Sequence, residues 1–480
     1  MSSSMTLLAP PAPGLADEDA GALIGQAPPS PAGPIDAAEA LRLPAPPPVR
    51  LPRIVQVVWF GQRQSSYVFR TRERLGDTWT ANGYVRGRPA VTCHPDHIRS
   101  VFTAPPEQVP TLAAESPLRP VLGPKSVLTS NGPRHLRQRK LLLPPFHGDA
   151  IAAYARMISD AAEREIARWP IGKPIALAPR MQAITLDVIM AGIFGIEGRP
   201  RPGTLEYALR LSSRELLRGS TLPGAKLAEL MNIGHEEPFG LTWLGLLIPD
   251  RLVFAVIRKR RRAADLGERN DILSLLLQAR TEEGEALTDK ELRDELMTLV
   301  LAGHETTANQ LAWTWERLVR APDAHARLRD AVRDEAEDAP AVIEATIHES
   351  MRTRPVIPIT GRRVTVPWRL GEYAVPAGTP IALSILLLHH REDLYPDPFA
   401  FRPERFLHRK PGTYEWIPFG GGTRRCLGAA LAMAEQRVVL ETMVRELDIE
   451  QATARPERPV HRNVTMIPSR GGRVVIGARR

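Results

Sequence analysis

Residues 419–428 read FGGGTRRCLG, and this stretch holds Cys426, one of only two cysteines in the chain. A proline-free run follows, LGAALAMAEQRVVLETMVREL, in which apolar residues are mixed with alanines and charges. That pattern predicts a long helix beginning almost at the cysteine. Cys426 would then sit at a helix N-terminus, where unpaired N–H groups and the macrodipole favour an anion. Gly420, Gly421, Gly422 and Gly428 let the backbone pass close to something flat or bulky. Arg424 lies two residues before the cysteine, within reach of a negative group. Two readings follow: a thiolate presented to a metal centre, or a buried free cysteine in a glycine-rich turn. The stretch alone leaves both open.

The rest of the chain narrows the choice. With 480 residues it can bury a large core, and 43% hydrophobic with 24% charged residues is the balance of a globular protein. Two cysteines, Cys93 and Cys426, cannot build a disulfide framework, which points to a reducing, cytoplasmic setting. Neither belongs to a CxxC pair, so a cysteine-based zinc site is not expected. The net charge of +9 invites an acidic partner, but the cations are spread along the chain and no nucleic-acid motif is present. An acidic protein or a membrane surface fits that charge equally well.

Residues 1–50 are rich in proline and alanine and read as a flexible leader, with 51–480 forming a single domain. No secretory signal and no uninterrupted span of about 20 apolar residues is expected. The apolar stretch Phe239 to Ile257 is broken by Pro249, Asp250 and Arg251 and is followed by Arg258, Lys259, Arg260, Arg261 and Arg262. It reads as a core segment with a solvated helix face or as a peripheral membrane contact, not a transmembrane span. Ile54 to Val91 reads as short strands and turns. Near residue 135, His135 and Arg139 stand four apart, so one helix face could hold an anion. Residues 149–280 read as mostly amphipathic helix. Leu287 to Arg320 carries a capping box at Thr288 and Glu291 and can form one helix of about 30 residues. Midway it carries LAGHETTAN, where Glu305 and Thr306 in an otherwise apolar helix imply either a kink or a proton-handling site. Glu349 and Arg352 form an i, i+3 pair, and the chain closes in short strands with a terminal hairpin at NVTMIPSRGGRVVI.

Taken together, these segments resemble the cytochrome P-450 haem-thiolate monooxygenases. FGGGTRRCLG is similar to the family's haem-ligand loop, with Phe419, Gly422, Arg424, Cys426 and Gly428 at its fixed positions. AGHET (Ala302 to Thr306) resembles the oxygen-activation segment. Glu349, Arg352 and Arg405 of FRPERF resemble the family's ExxR network. The resemblance spans roughly residues 50–480 and implies a mainly α fold with a small β-rich side, binding one haem b. It implies Cys426 as the iron ligand and His135, Arg139, Arg362 and Arg424 as partners of the haem propionates, with Arg363 as the alternative to Arg362. Phe419 would shield the proximal side, and Ala302 would leave room beside the iron. Glu305 and Thr306 would deliver protons to dioxygen, and His304 is given no catalytic role. The implied reaction inserts one oxygen atom into a small hydrophobic substrate, with electrons from a ferredoxin and its reductase.

Overall fold

The computed structural model describes residues 24–480 apart from 83–86, 117, 147–148, 199, 220–230, 233 and 463. The longest element is the helix Asp289–Leu318. Thr288 Oγ1 accepts from the Glu291 N–H while the Glu291 carboxylate accepts from the Thr288 N–H, the expected capping box. Leu287 and Leu292, 3% and 0% exposed, pack in the same core cluster beside it.

This helix is covered over much of its length by Leu177–Phe194. Among the described residues, that second helix alone is long and apolar enough to cross a membrane by length and composition, with mean hydropathy 1.3. Its position answers the question: 72% of it is buried inside the protein, against the long helix. Ala429–Glu446, the helix expected behind the cysteine, packs on Asp149–Ile166 and completes the larger core cluster.

The β-rich side is assembled from distant segments. A four-stranded sheet runs in the order Thr78–Thr80, Ala90–Thr92, Pro380–Ser384, Ile359–Arg363, with Thr92 opposite Leu383 and Arg362 opposite Ile381.

Three expectations are corrected. Residues 1–23 lie outside the described residues, but 24–50 are part of the domain. Ile24 is 1% exposed in a cluster with Trp368 and Leu370. Ala32–Pro34 adds an antiparallel strand to Trp368–Leu370, and Ser30 N–H donates to Asp96. An edge strand tolerates proline, since its outward N–H groups need no partner, so a proline-rich composition does not forbid docking onto an existing sheet. Next, residues 53–75 are helix rather than strand, in one element from Arg53 to Leu75 kinked at Arg63. Isoleucine and valines near its start suggested β structure, but the buried positions Gln56, Gln64, Tyr67, Val68 and Thr71 follow a helical period, and packing overrides local propensity. Finally, Thr465–Pro468 does not pair with Arg473–Arg479 as expected: it forms a hairpin with Pro459–Arg462, whereas Arg473–Arg479 pairs with Leu447–Gln451 and Pro174–Ala176.

Candidate active site

The cysteine loop is shaped by one aromatic residue that carries no local signal. Gly422 has φ +63°, and a Cβ there would lie 2.1 Å from the Phe102 carbonyl oxygen; at Gly421 a Cβ would lie 2.5 Å from the Phe102 ring. Both positions therefore require glycine, one for conformation and contact, the other for contact. The Cys426 N–H donates to the Phe419 carbonyl at 2.9 Å and the Arg425 N–H to the Gly422 carbonyl at 3.1 Å, closing the loop. The helix begins at Ala429 with Gly428 as its N-cap, so Cys426 precedes it by slightly more than expected. Gly422 seats the loop on Phe102.

Cys426 opens onto a mostly apolar cavity of about 2150 Å³. Its side chain is exposed only to this internal space, and that enclosure raises the thiol pKa, opposed by a hydrogen bond from Gly428 and by Arg139 and Arg425.

His135, Arg139, Arg362 and Arg424 all line the same cavity. His135 and Arg139 come from the helix Gly132–Leu142, Arg362 from the Ile359–Arg363 strand and Arg424 from the loop. Among the described residues none of the four is in an ion pair. Their contacts are to neutral groups: Arg424 donates to the carbonyls of Val127 and Ser130 and to Asn131 Oδ1, Arg139 to the Arg425 carbonyl, and Arg362 lies 5.4 Å over the Phe102 ring. Burial pushes Arg362 and Arg424 down to about 10, and His135 falls to about 4 through burial and then the charges of Arg424, Arg139 and Arg362. Gathering three arginines around a neutral histidine with no carboxylate between them is costly. The cluster fits a dianionic ligand. Arg363, the alternative, instead pairs with Glu115 and donates to the Gly378 carbonyl.

Glu305 and Thr306 line the same cavity from the Asp289–Leu318 helix, with Ala302 and Gly303 beside them. The helix runs through without interruption; the expected alternative of a kink is not taken. Thr306 Oγ1 donates to the Ala302 carbonyl at 2.6 Å, so the hydroxyl is held in the helix groove. Gly303 packs closely on the crossing helix, where a Cβ would come 3.1 Å from Ile189 Cδ1. The Glu305 pKa is raised by burial, with Arg462 at 3.4 Å and Thr465 pulling the other way. His304 is buried against the crossing helix, with its backbone carbonyl accepting from Thr185, and does not border the cavity. A carboxyl that sequence reasoning missed, Glu435, also borders the cavity; burial raises it to about 8, and it is hydrogen-bonded to Thr307. Its only signal was an acid on the apolar face of the cysteine-loop helix.

Glu349, Arg352 and Arg405 meet in the core with no exposed side-chain surface. Arg352 reaches both Glu349 oxygens, at 2.6 and 2.8 Å, and donates to the carbonyls of His389, Pro398 and Ala400. His389 Nε2 in turn accepts from the Ile417 N–H at 2.9 Å, two residues before Phe419. The network thus pins the chain leading into the cysteine loop. Glu349→Gln leaves two buried arginines without their shared charge and is expected to cost about 3–5 kcal/mol. Chemical denaturation of the purified protein measures it, and a loss below about 1 kcal/mol would contradict the arrangement.

A thiol, a group of basic side chains without carboxylate partners and an acid–alcohol pair thus border one cavity. A family model described as Cytochrome P450 matches residues 44–475. The chain belongs to the cytochrome P450 family. Relatives provisionally named for that family include cytochrome P450 138 of Mycobacterium tuberculosis, 38% identical over 91% of this chain and 98% of that one. Cytochrome P450 137 of the same species is 37% identical over 85% and 84%. The retinoic acid-bound cyanobacterial CYP120A1 has the same fold, with TM-score 0.76 at 21% identity, over 91% of this chain and 100% of that one. The cytochrome P450DA haem domain aligns with TM-score 0.75 at 22% identity, over 91% and 98%. Membership makes this chain an oxidoreductase of the monooxygenase class with haem b as its cofactor. The cation cluster and the cavity-facing thiol are the observations in this P450 that fit such a group.

Proposed function

We propose that this P450 hydroxylates or epoxidises an apolar organic substrate with dioxygen, drawing electrons from a ferredoxin and its reductase. The observation that supports the reading is that Cys426, Glu305, Thr306, His135, Arg139, Arg362 and Arg424 all line one cavity. In this reading Cys426 Sγ would be the iron ligand, Arg139, Arg362 and Arg424 with neutral His135 would hold the propionates, Phe419 would screen the proximal side and Ala302 would leave space on the distal side. When bound, haem supplies the activation of dioxygen and the insertion of one oxygen atom, assisted by electron donation from the thiolate.

The chain's own residues handle protons and exclude water. Glu305, with its pKa raised by burial, holds a proton more readily than an exposed glutamate and can pass it toward the Thr306 hydroxyl. Arg462 orients that carboxyl from the C-terminal side. Glu435, raised to about 8, is a second proton-holding group near Thr307. The distal wall is apolar, with side chains such as Leu246, Leu252 and Ile385, which favours an uncharged substrate and keeps bulk water out. The exposed Arg425 beside Cys426 and the net charge of +9 suit an acidic ferredoxin in a reducing, cytoplasmic setting.

Reconstitution with a surrogate ferredoxin, its reductase and NAD(P)H tests the whole reading. Wild-type protein should form oxygenated product at a rate that falls with added salt. Thr306→Ala should continue to consume NAD(P)H while product per NAD(P)H falls at least about tenfold, since proton delivery typically contributes 10²–10⁴-fold. Full coupling in Thr306→Ala would instead favour a peroxide-driven enzyme. Absence of any product would favour a haem carrier or gas sensor.

A further inference from the structure

Residues 123–131 run between the long helix and the cysteine loop, and three side chains within about one helical turn hold them to that helix. Asp294 Oδ2 accepts from the Lys125 N–H at 3.1 Å, Glu295 Oε1 accepts from the Val127 N–H at 2.8 Å, and Thr298 Oγ1 is hydrogen-bonded to Ser126 Oγ at 2.6 Å. Gly123 lies so close that a Cβ there would stand 2.1 Å from the Asp294 carboxyl. On its other side the same segment receives Arg424. Nη1 donates to the Val127 carbonyl at 3.1 Å, and Nη2 donates to the Ser130 carbonyl at 2.5 Å and to Asn131 Oδ1 at 2.7 Å. Val127 is thus held at both ends, its N–H by Glu295 and its C=O by Arg424. Three of the five guanidinium hydrogens are taken up by this segment, which leaves two for an acceptor in the cavity that Arg424 lines.

A carboxyl at position 295 is costly. Glu295 has no exposed surface, and its Oε2 has no hydrogen-bond partner among the described residues. Burial, against the pull of the Val127 N–H and with Asp294 and Glu291 nearby, raises its pKa well above the usual carboxylate range, so the group is held as a neutral acid. A leucine would fill this space without leaving an orphaned oxygen, but it could not accept from Val127. Asp294 and Thr298 already hold Lys125 and Ser126. What Glu295 adds is the bond to the residue that also receives Arg424.

We propose that Glu295 is a positioning residue for Arg424. By fixing Val127 it sets the carbonyl that receives Nη1, and with it the direction in which the guanidinium presents its two remaining donors to a haem carboxylate. The inference rests on the proposed role of Arg424 and extends that role to a side chain inside the core.

The test is a double-variant cycle read as the rate of haem loss from the loaded protein to excess apomyoglobin, a measurement that needs no turnover. Glu295→Leu should raise that rate at least about tenfold, the lower end of what losing a supporting partner costs a bound centre. Arg424→Gln should raise it by as much or more. The two together should lose haem no faster than Arg424→Gln alone, because Glu295 acts through Arg424. Glu295→Gln keeps a neutral acceptor for Val127 and should stay within about threefold of the wild-type rate. Should Glu295→Leu fail to fold, Glu295→Met, unbranched and able to fill an irregular space, takes its place with the same expectation. Effects that multiply in the double variant overturn the inference, since Glu295 would then support the fold generally. So does a wild-type rate in Glu295→Leu, and so does a Glu295→Gln rate equal to that of Glu295→Leu, which would make charge rather than the acceptor decisive. An unchanged rate in Arg424→Gln overturns the role given to Arg424 itself, and this inference with it, whereas the other adverse outcomes leave that role standing.

Discussion

Cys426→Ser is expected to give a folded protein without the reaction. The cysteine is not part of the core: its side chain faces the cavity, and the loop is closed by backbone bonds, Cys426 N–H to Phe419 and Arg425 N–H to Gly422. Serine keeps those bonds and nearly the same volume, so folding stability should change by no more than about 0.5 kcal/mol. The chemistry changes much more. A serine hydroxyl does not ionise under the conditions in which a thiolate does, and it lacks the polarisable sulfur whose donation favours O–O cleavage. Turnover should fall at least about a thousandfold, some 4 kcal/mol of barrier. The red-shifted Soret band of the reduced carbon monoxide complex, a signature of thiolate ligation, should disappear. A variant keeping both that band and turnover would remove Cys426 from the site.

A second large effect is expected in acid. His97 and His389 are buried and pushed down to about 3, and His304 and His348 to about 4, in each case with burial the leading cause. These histidines stay neutral in the folded protein and take up protons near the ordinary histidine value of about 6.5 once unfolded. Below that value the unfolded chain binds more protons, so stability falls as pH falls. Each histidine contributes up to about 1.4 kcal/mol per pH unit between 6.5 and its folded pKa. Four together make the fold lose several kcal/mol by pH 5. His389 adds a local consequence, because protonating Nε2 would remove the acceptor for the Ile417 N–H and loosen the approach to the cysteine loop. Calorimetry of the haem-loaded protein should show the melting temperature falling steeply from pH 6.5 to 5. A flat profile would mean that these side chains protonate without unfolding.

Legibility in the sequence followed how local the physics is. The capping box at Thr288–Glu291, the i, i+4 pair His135–Arg139 and the Glu349–Arg352 pair depend on neighbours within four residues, and each was readable. The Arg53–Leu75 helix was misread because its isoleucine and valines favour strands locally. What stabilises the helical form is its packing with residues such as Leu387 and Met466, far along the chain. The docking of residues 24–50 was missed for the same reason: Ile24 gains its burial from Trp368 and Leu370, which composition cannot place beside it.

By itself, the sequence determined the chemistry available: one cysteine in a glycine-rich turn before a helix, an acid and an alcohol in an apolar helix, and a set of scattered cations. Tertiary structure alone decided which of these share a space. It chose Arg362 over Arg363, because the strand pairing turns the first toward Phe102 and the cavity and lets the second reach Glu115. It set Gly422 against Phe102, and it added Arg462 and Glu435. The physical reason is that burial and charge compensation are properties of a place, shared by residues hundreds of positions apart.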